Sequence, residues 1–383
     1  MDSISRRTVM LGTIGAAGVA VVGCSSQPPG QSVAPDASST PTPTADTTPR
    51  WPLTGVPLAA GDDPAHSAVA VKVADNEREH IHQGMLVQQG INEADIVFVE
   101  NDGYSSLPSG EAGTRLVPIY HSKFADAVQA IRSMRPVDAA LFSPITGVIG
   151  DTGAFRWVMD YMTSFPDYYV SIDYAHGRSK GYYSINSKYV FTYKGGRIYD
   201  KAVMCYPAKL SQAAPKRFKQ GPQQAYFPWA NEAEASTATG APANKVKVPW
   251  AQKMNWTMSY TWNDKKQTYE RSMPWGPHLL QGKERVTTDN ILVILAPITY
   301  GHINTKGKIS AGGAHPEPIY HLIEGSGSFY YAHGGKYVQG TWKKGAINEP
   351  FQFTLSDGSP LKMAPGRTFV ELPGDKTKVK FTA

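Results

Sequence analysis

The chain has 383 residues, 41% of them hydrophobic, which is enough apolar material for the cores of two ordinary domains. Its 38 Lys and Arg against 32 Asp and Glu give a formal charge of +6. An excess this small, without a dense basic run interleaved with aromatics, argues against a nucleic-acid-binding groove.

The first 23 residues carry Arg6 and Arg7, an apolar run over 9–22, and small residues before Cys24. This is the three-part layout of an export signal, and Val21-Val22-Gly23-Cys24 resembles the cut site of a bacterial lipoprotein, where the cysteine is lipidated and becomes the new first residue. The run is shorter than the ~20 residues that cross a bilayer core. Residues 1–23 are therefore expected to be a cleaved signal peptide. Acyl chains on Cys24, a palmitate type of modification, are then expected to hold the protein outside the cytoplasm on the cell membrane, each buried methylene contributing about 0.8 kcal/mol. Ser5-Arg6-Arg7-Thr8-Val9-Met10 also fits a twin-arginine motif, so the general and the twin-arginine export routes both stay open. With Cys24 occupied, only Cys205 remains and no internal disulfide can form. Removing Arg6, Arg7 and Asp2 leaves a charge of +5, which suits an anionic membrane or wall polymer.

Residues 24–50 consist almost entirely of Ser, Thr, Pro, Ala, Gln and Asp and cannot bury enough surface to offset their ordering entropy. They are expected to be a disordered tether. From Trp51 onward, Ala68-Val69-Ala70-Val71-Lys72-Val73, Ile96-Val97-Phe98-Val99 and Leu116-Val117-Pro118-Ile119-Tyr120 predict strands. Phe124, Val128 and Ile131 recur at helical spacing and predict a helix ended by Pro136; Phe155, Val158, Met159 and Met162 predict a second. The alternation implies an α/β (α+β) N-terminal domain with a mixed sheet over 51–206. Residues 207–248 lack periodicity and are expected to form a connection or insertion. Short segments at 258–262 with 268–272, 291–295, 328–331 with 337–341 around Gly334-Gly335, and 351–355 before Asp357-Gly358 predict hairpins. The region 249–383 is thus expected to be a mostly antiparallel β C-terminal domain.

Several motifs together resemble the YerB-like bacterial lipoprotein family, which carries domain of unknown function 3048 in N- and C-terminal parts. They are Trp51-Pro52-Leu53-Thr54-Gly55, Ala70-Val71-Lys72-Val73 with Asp75-Asn76, Gly90-Ile91-Asn92-Glu93-Ala94-Asp95-Ile96-Val97 with Glu100, Thr114-Arg115, and Ile131-Arg132-Ser133-Met134-Arg135-Pro136. In the second half they are Tyr269-Glu270-Arg271, Gly276-Pro277-His278, Asn290-Ile291-Leu292-Val293, Gly325-Ser326-Gly327 and Gly340-Thr341-Trp342-Lys343-Lys344. The resemblance spans nearly all of the mature chain. It departs at Lys180-Gly181-Tyr182-Tyr183-Ser184-Ile185-Asn186, where the family tends to have an Arg-rich loop containing His-Asn. No established activity comes with the resemblance, so the chemistry rests on the residues.

Arg132, Ser133 and Arg135 at a helix-to-extended junction offer two guanidiniums and a hydroxyl that can clamp a carboxylate or phosphate. Asn76 and Arg115 join them as ligand-binding candidates, and Asp75, Glu100 and Asp138 are the candidate acids or bases. Convergence in an open cleft favours an envelope hydrolase or transferase acting on a wall glycan or phosphorylated polymer; burial in mutual pairs favours a binding or scaffolding module. The nine tyrosines Tyr161, Tyr168, Tyr169, Tyr174, Tyr182, Tyr183, Tyr189, Tyr193 and Tyr199 form a zone that either stacks sugars or serves strands. His80 with His82, and His315 with His321, lack the further ligands of a zinc site, so no metal and no cofactor is expected. Ser359-Pro360-Leu361-Lys362 matches S-x-x-K but follows a hairpin turn rather than opening a helix, and Cys205 has no histidine partner in sequence. Gly325 and Gly327 fit either a ligand-approach loop or a tight strand corner. Trp342 reads as a half-buried strand end beside solvated Lys343 and Lys344. The expected partners are the membrane, through the lipid, and an anionic ligand or wall polymer.

Overall fold

The computed structural model describes residues 48–75, 86–103, 113–251 and 256–383. Cys24, Asn76, the signal, nearly all of the tether, and His80 with His82 lie outside the described residues. Strands take 39% of the structure and helices 13%, so the architecture is set by how sheets share their edges.

The first half contributes β1 (Ala68–Val71), β2 (Val73–Ala74), β3 (Ile96–Asn101), β4 (Thr114–Tyr120), β5 (Val128–Gln129), β6 (Gly147–Asp151), β7 (Tyr169–Asp173), β8 (Tyr183–Ile185), β9 (Phe191–Tyr193), β10 (Gly196–Ile198) and β11 (Val203–Cys205). The second contributes β12 (Ala241–Pro242), β13 (Lys245–Ala251), β14 (Trp256–Asn263), β15 (Thr268–Met273), β16 (Gly276–Pro277), β17 (Thr287–Thr288) and β18 (Asn290–Ile294). It continues with β19 (Ile298–Ile303), β20 (Ile309–Ala311), β21 (Glu317–Tyr320), β22 (Ser326–His333), β23 (Lys336–Lys343), β24 (Gln352–Leu355), β25 (Thr368–Glu371) and β26 (Lys380–Thr382).

A large mixed sheet runs in the order β12-β23-β22-β18-β25-β3-β4-β1-β6-β7, with β2 on β4 and β24 on β23. β25, near the C-terminus, lies parallel to both β18 and β3, so that Val370 faces Leu292 on one side and Phe98 on the other. Every residue of β1, β3, β18 and β25 is buried. Coverage on both faces is why these strands read as continuous apolar runs rather than as alternating ones. The expected division between 51–206 and 249–383 therefore coincides with no break in the sheet, and Thr48–Ala383 is one unit. The remaining sheets are β5-β11-β8, β9-β10, β20-β19-β21, and an antiparallel sheet β16-β15-β14-β13-β26 with β17 on β15.

Residues 207–248 do more than connect. The helix Pro207–Ala213 has proline in its first turn, where the missing N–H costs nothing, and buries Leu210. Beyond it Tyr226 packs edge-on against Phe98, and Phe227 lies near Phe353, so this segment fills space between strands of both halves.

The helix expected from Phe155, Val158, Met159 and Met162 forms as Arg156–Met162, with Val158 and Met162 buried. The one expected from Phe124, Val128 and Ile131 does not. Val128 and Gln129 instead pair with Cys205 and Met204, and Ile131 bridges Val73. Three apolar residues do not outweigh the cost of nucleating a helix when a neighbouring strand supplies ladder hydrogen bonds. Pro136 opens the helix Val137–Phe142 rather than closing one. The hairpins form as expected: Trp262 faces Tyr269 across β14 and β15, and Tyr331 faces Val338 across β22 and β23. The second turn needs positive φ at both central positions, which Gly334 and Gly335 supply at 61° and 71°.

Candidate functional site

Lys72 follows β1 in a run of apolar strand residues, and the sheet leaves its ammonium no route to water. Its Nζ is paired with Glu100 of β3 and lies 2.7 Å from Asp138 Oδ1, at the start of the helix Val137–Phe142. Asp138 Oδ2 accepts from the Arg135 N–H at 2.7 Å, capping that turn. Burial, and then the nearby Asp138 carboxylate, push Glu100 up to about 8 against the pull of Lys72. One ammonium thus serves two carboxyl groups, and the shortfall of positive charge falls on Glu100.

Arg115 sits opposite Glu100 in the β3–β4 register. It pairs with Asp102 and donates to the Ser133 carbonyl at 2.6 Å. Arg135 donates to the Asp102 carbonyl at 2.7 Å and lies 3.0 Å from Glu317 of β21. Burial alone raises Asp102, but the guanidiniums of Arg115, Arg135 and Arg132 hold it below the usual carboxylate range.

Asp75 belongs to a separate buried network. It accepts from Thr114 at 2.7 Å and from Arg271 of β15 at 3.1 Å. Arg271 also donates to His278 Nδ1 at 2.7 Å, which requires that nitrogen to be the acceptor; Nε2 then carries the hydrogen and donates to Gln88 Oε1 at 2.5 Å. Burial and Arg271 push His278 down to about 3, consistent with a neutral ring. On its other side Arg271 lies 3.7 Å from Glu371 of β25, which accepts from Trp250 at 2.7 Å and Tyr260 at 2.5 Å.

The structure therefore divides the residues singled out above. Asp75, Glu100, Asp138, Arg115 and Arg135 are all buried in mutual pairs, and Ser133 supplies its carbonyl to Arg115. Asn76 lies outside the described residues. Arg132 alone of the described set lines an open cleft, with a volume of about 490 Å³. Its lining combines the apolar Ile131, Ile185 and Val203 with Thr152, Tyr174, Arg178, Tyr199 and Asp200. Arg132 lies 3.2 Å from the exposed Asp200, and the Arg178 guanidinium sits 5.8 Å from the Tyr174 ring centroid. Two cations beside two aromatic rings in a concave site suit an anionic ligand with a flat or sugar-like body.

Other readings are resolved by position. Burial pushes the Cys205 thiol well above its ordinary range, which suppresses the nucleophilic thiolate. Ser359 donates to Asp357 at 2.7 Å within the turn after β24. His315 stacks on Phe155, while His321 pairs with Thr299 at 2.9 Å. A Cβ on Gly325 would meet the His321 carbonyl at 2.5 Å, and one on Gly327 the Leu295 carbonyl at 2.3 Å. Gly325 thus closes a tight turn, and Gly327 permits close strand packing. Trp342 is wholly buried rather than half-buried, and Lys344, expected in solvent, is buried and donates to the carbonyls of Ala346 at 3.1 Å and Ile347 at 3.0 Å. The surrounding loop supplies oxygens in place of water. Of the tyrosines, Tyr161, Tyr169, Tyr183 and Tyr189 are core residues, and Tyr193 and Tyr199 are exposed.

Lys72, Asp102, Arg271, Glu317 and Glu371 were missed as network members. A signal existed for two of them. Lys72 is a lysine inside an apolar strand run, and Arg271 alternates with Tyr269 and Met273 on the buried face of β15.

The model for the N-terminal domain of "Protein of unknown function (DUF3048)" matches residues 53–220, and that for its C-terminal domain matches 246–370. The crystal structure of the YerB protein from Bacillus subtilis matches with a TM-score of 0.60 at 18% identity, over 86% of this chain and 99% of that chain. This likeness concerns the fold. No curated protein matches the chain.

Proposed function

The chain belongs to the DUF3048 family, with both its N-terminal and C-terminal domains. As that description assigns no activity, we propose from the site that the protein is a lipid-anchored cell-envelope binding module whose ligand is taken by the Arg132 cleft. One observation carries the reading: the candidate acids Asp75, Glu100 and Asp138 are buried and compensated by Arg271 and Lys72, whereas Arg132 lines an open cleft beside the exposed Asp200. A hydrolase or transferase needs an acid or base within reach of substrate, and these three carboxylates have none. The ligand class supported is an anionic sugar or a unit of a phosphorylated wall polymer, held by Arg132 and Arg178 and stacked on Tyr174 or Tyr199.

Calorimetric titration with glucose 1-phosphate, glucuronate and N-acetylmuramate tests this. At least one should bind saturably, and Arg132→Ala should weaken it by about tenfold or more, as expected for loss of a charge-assisted hydrogen bond. The melting temperature should fall only slightly, since Arg132 is half-buried and its partner Asp200 is exposed. A large melting loss with no change in binding would make Arg132 a strut and end the proposal. The anchor is tested separately by the mass of the N-terminal peptide, which should begin at Cys24 and carry acyl chains. An uncleaved N-terminus, with membrane retention unchanged by Cys24→Ser, would overturn it.

A further inference from the structure

Residues 174–199 contain Arg178, Lys180, Lys188, Lys194 and Arg197 and not one Asp or Glu, so 26 residues hold a charge nearly equal to that of the whole chain. All five cations are exposed. At the C-terminal end of this stretch β9 and β10 pair only with each other, as a two-stranded sheet. Their register places Phe191 opposite Ile198 and Tyr193 opposite Gly196, with Thr192 opposite Arg197. Side chains alternate between faces, so Phe191, Tyr193 and Ile198 share one face and Arg197 occupies the other. Phe191 is 44% and Tyr193 60% exposed, glycine stands opposite Tyr193, and the Lys194 ammonium lies 5.3 Å from the centre of the Tyr193 ring, so that cation and ring are presented together at the tip. The two-residue turn holds Lys194 at φ 49° and Gly195 at φ 78°. A lysine is an unfavourable occupant of a left-handed position, and it sets an ammonium at the tip.

We propose that the β9–β10 hairpin is a second membrane contact, setting Phe191 and Tyr193 at the acyl boundary of an anionic bilayer while Lys188, Lys194 and Arg197 meet lipid phosphates. A soluble polyanion satisfies the cations but leaves the rings in water. The headgroup region of a bilayer takes both. The hairpin rests on the lipid-anchor reading only for its nearness to a membrane.

The test uses the chain from residue 24 onward with Cys24→Ser, which keeps the whole unit Thr48–Ala383 and removes the lipid. It is sedimented with vesicles of phosphatidylcholine alone, or of phosphatidylcholine mixed with phosphatidylglycerol. Binding should require phosphatidylglycerol and weaken with salt. Replacing Lys188, Lys194 and Arg197 by Ala should reduce it on the order of a hundredfold. Phe191→Ser with Tyr193→Ser should also reduce it, with melting unchanged because both rings are exposed. Equal binding to both vesicle types, no binding to either, or full binding by the double serine variant would overturn the proposal; the last would mark simple polyanion adsorption. Because Cys24 is absent throughout, failure here leaves the anchor and the Arg132 cleft standing.

Discussion

Glu100 loses its proton near 4.5 in the unfolded chain but only near 8 in the fold, where burial and Asp138 disfavour its charge. Between those values folding takes up a proton, so stability falls as pH rises through the window. Burial does the same to Asp151, raised from 3.8 to about 7. His278 and His121 act in the opposite sense. Burial lowers them to about 3 and about 4, so their neutral rings cost stability as pH falls below 6.5. The melting temperature should therefore decline between pH 6.5 and 8, and Glu100→Gln should flatten that decline while changing little near pH 5. Thermal scans across pH check this, and an unaltered slope in the variant would refute it. Arg271→Ala should cost about 3–5 kcal/mol in denaturant melts, because it strands Asp75 among buried groups. A loss below about 1 kcal/mol, the range of an exposed pair, would contradict the network.

Among elements, the hairpins and the helix Arg156–Met162 were legible because a local rule, glycine-rich turns or apolar spacing, agrees with tertiary packing. β5 was not, since its strand character depends on Cys205 and Met204, some 75 residues away in sequence. Gly327 shows how closely neighbouring strands constrain one position. An added Cβ would meet the Leu295 carbonyl at 2.3 Å and Trp342 Nε1 at 2.8 Å, contacts that demand backbone movement. Gly327→Ala should lower stability by about 1–3 kcal/mol, whereas Gly195→Ala, with open space around its Cβ, should bear only the cost of its positive φ. Equal losses in the two variants, measured by thermal melting, would refute the packing account.

For the whole molecule, β25 is decisive. It closes the edge of β3 in the first half with residues 368–371, and Arg271 compensates Asp75 across the same divide. A fragment of residues 51–206 should accordingly show no cooperative melt, while the full chain unfolds in a single calorimetric transition. A folded, cooperatively melting fragment would contradict this coupling. The ranges matched by the family models follow the two halves of the sequence, and the hydrogen-bond ladder joins them.

By itself the sequence established the strand-rich character, the hairpin turns, and residues that prove to be network members, because apolar runs and turn glycines report local geometry. Only the tertiary structure decided that Asp75, Glu100 and Asp138 face cations instead of solvent, that Arg132 lines a cleft, and that the C-terminal strand enters the first half's sheet. Charge compensation and strand adjacency depend on residues far apart in the chain, and no local pattern records which partner a buried charge or a strand edge finds.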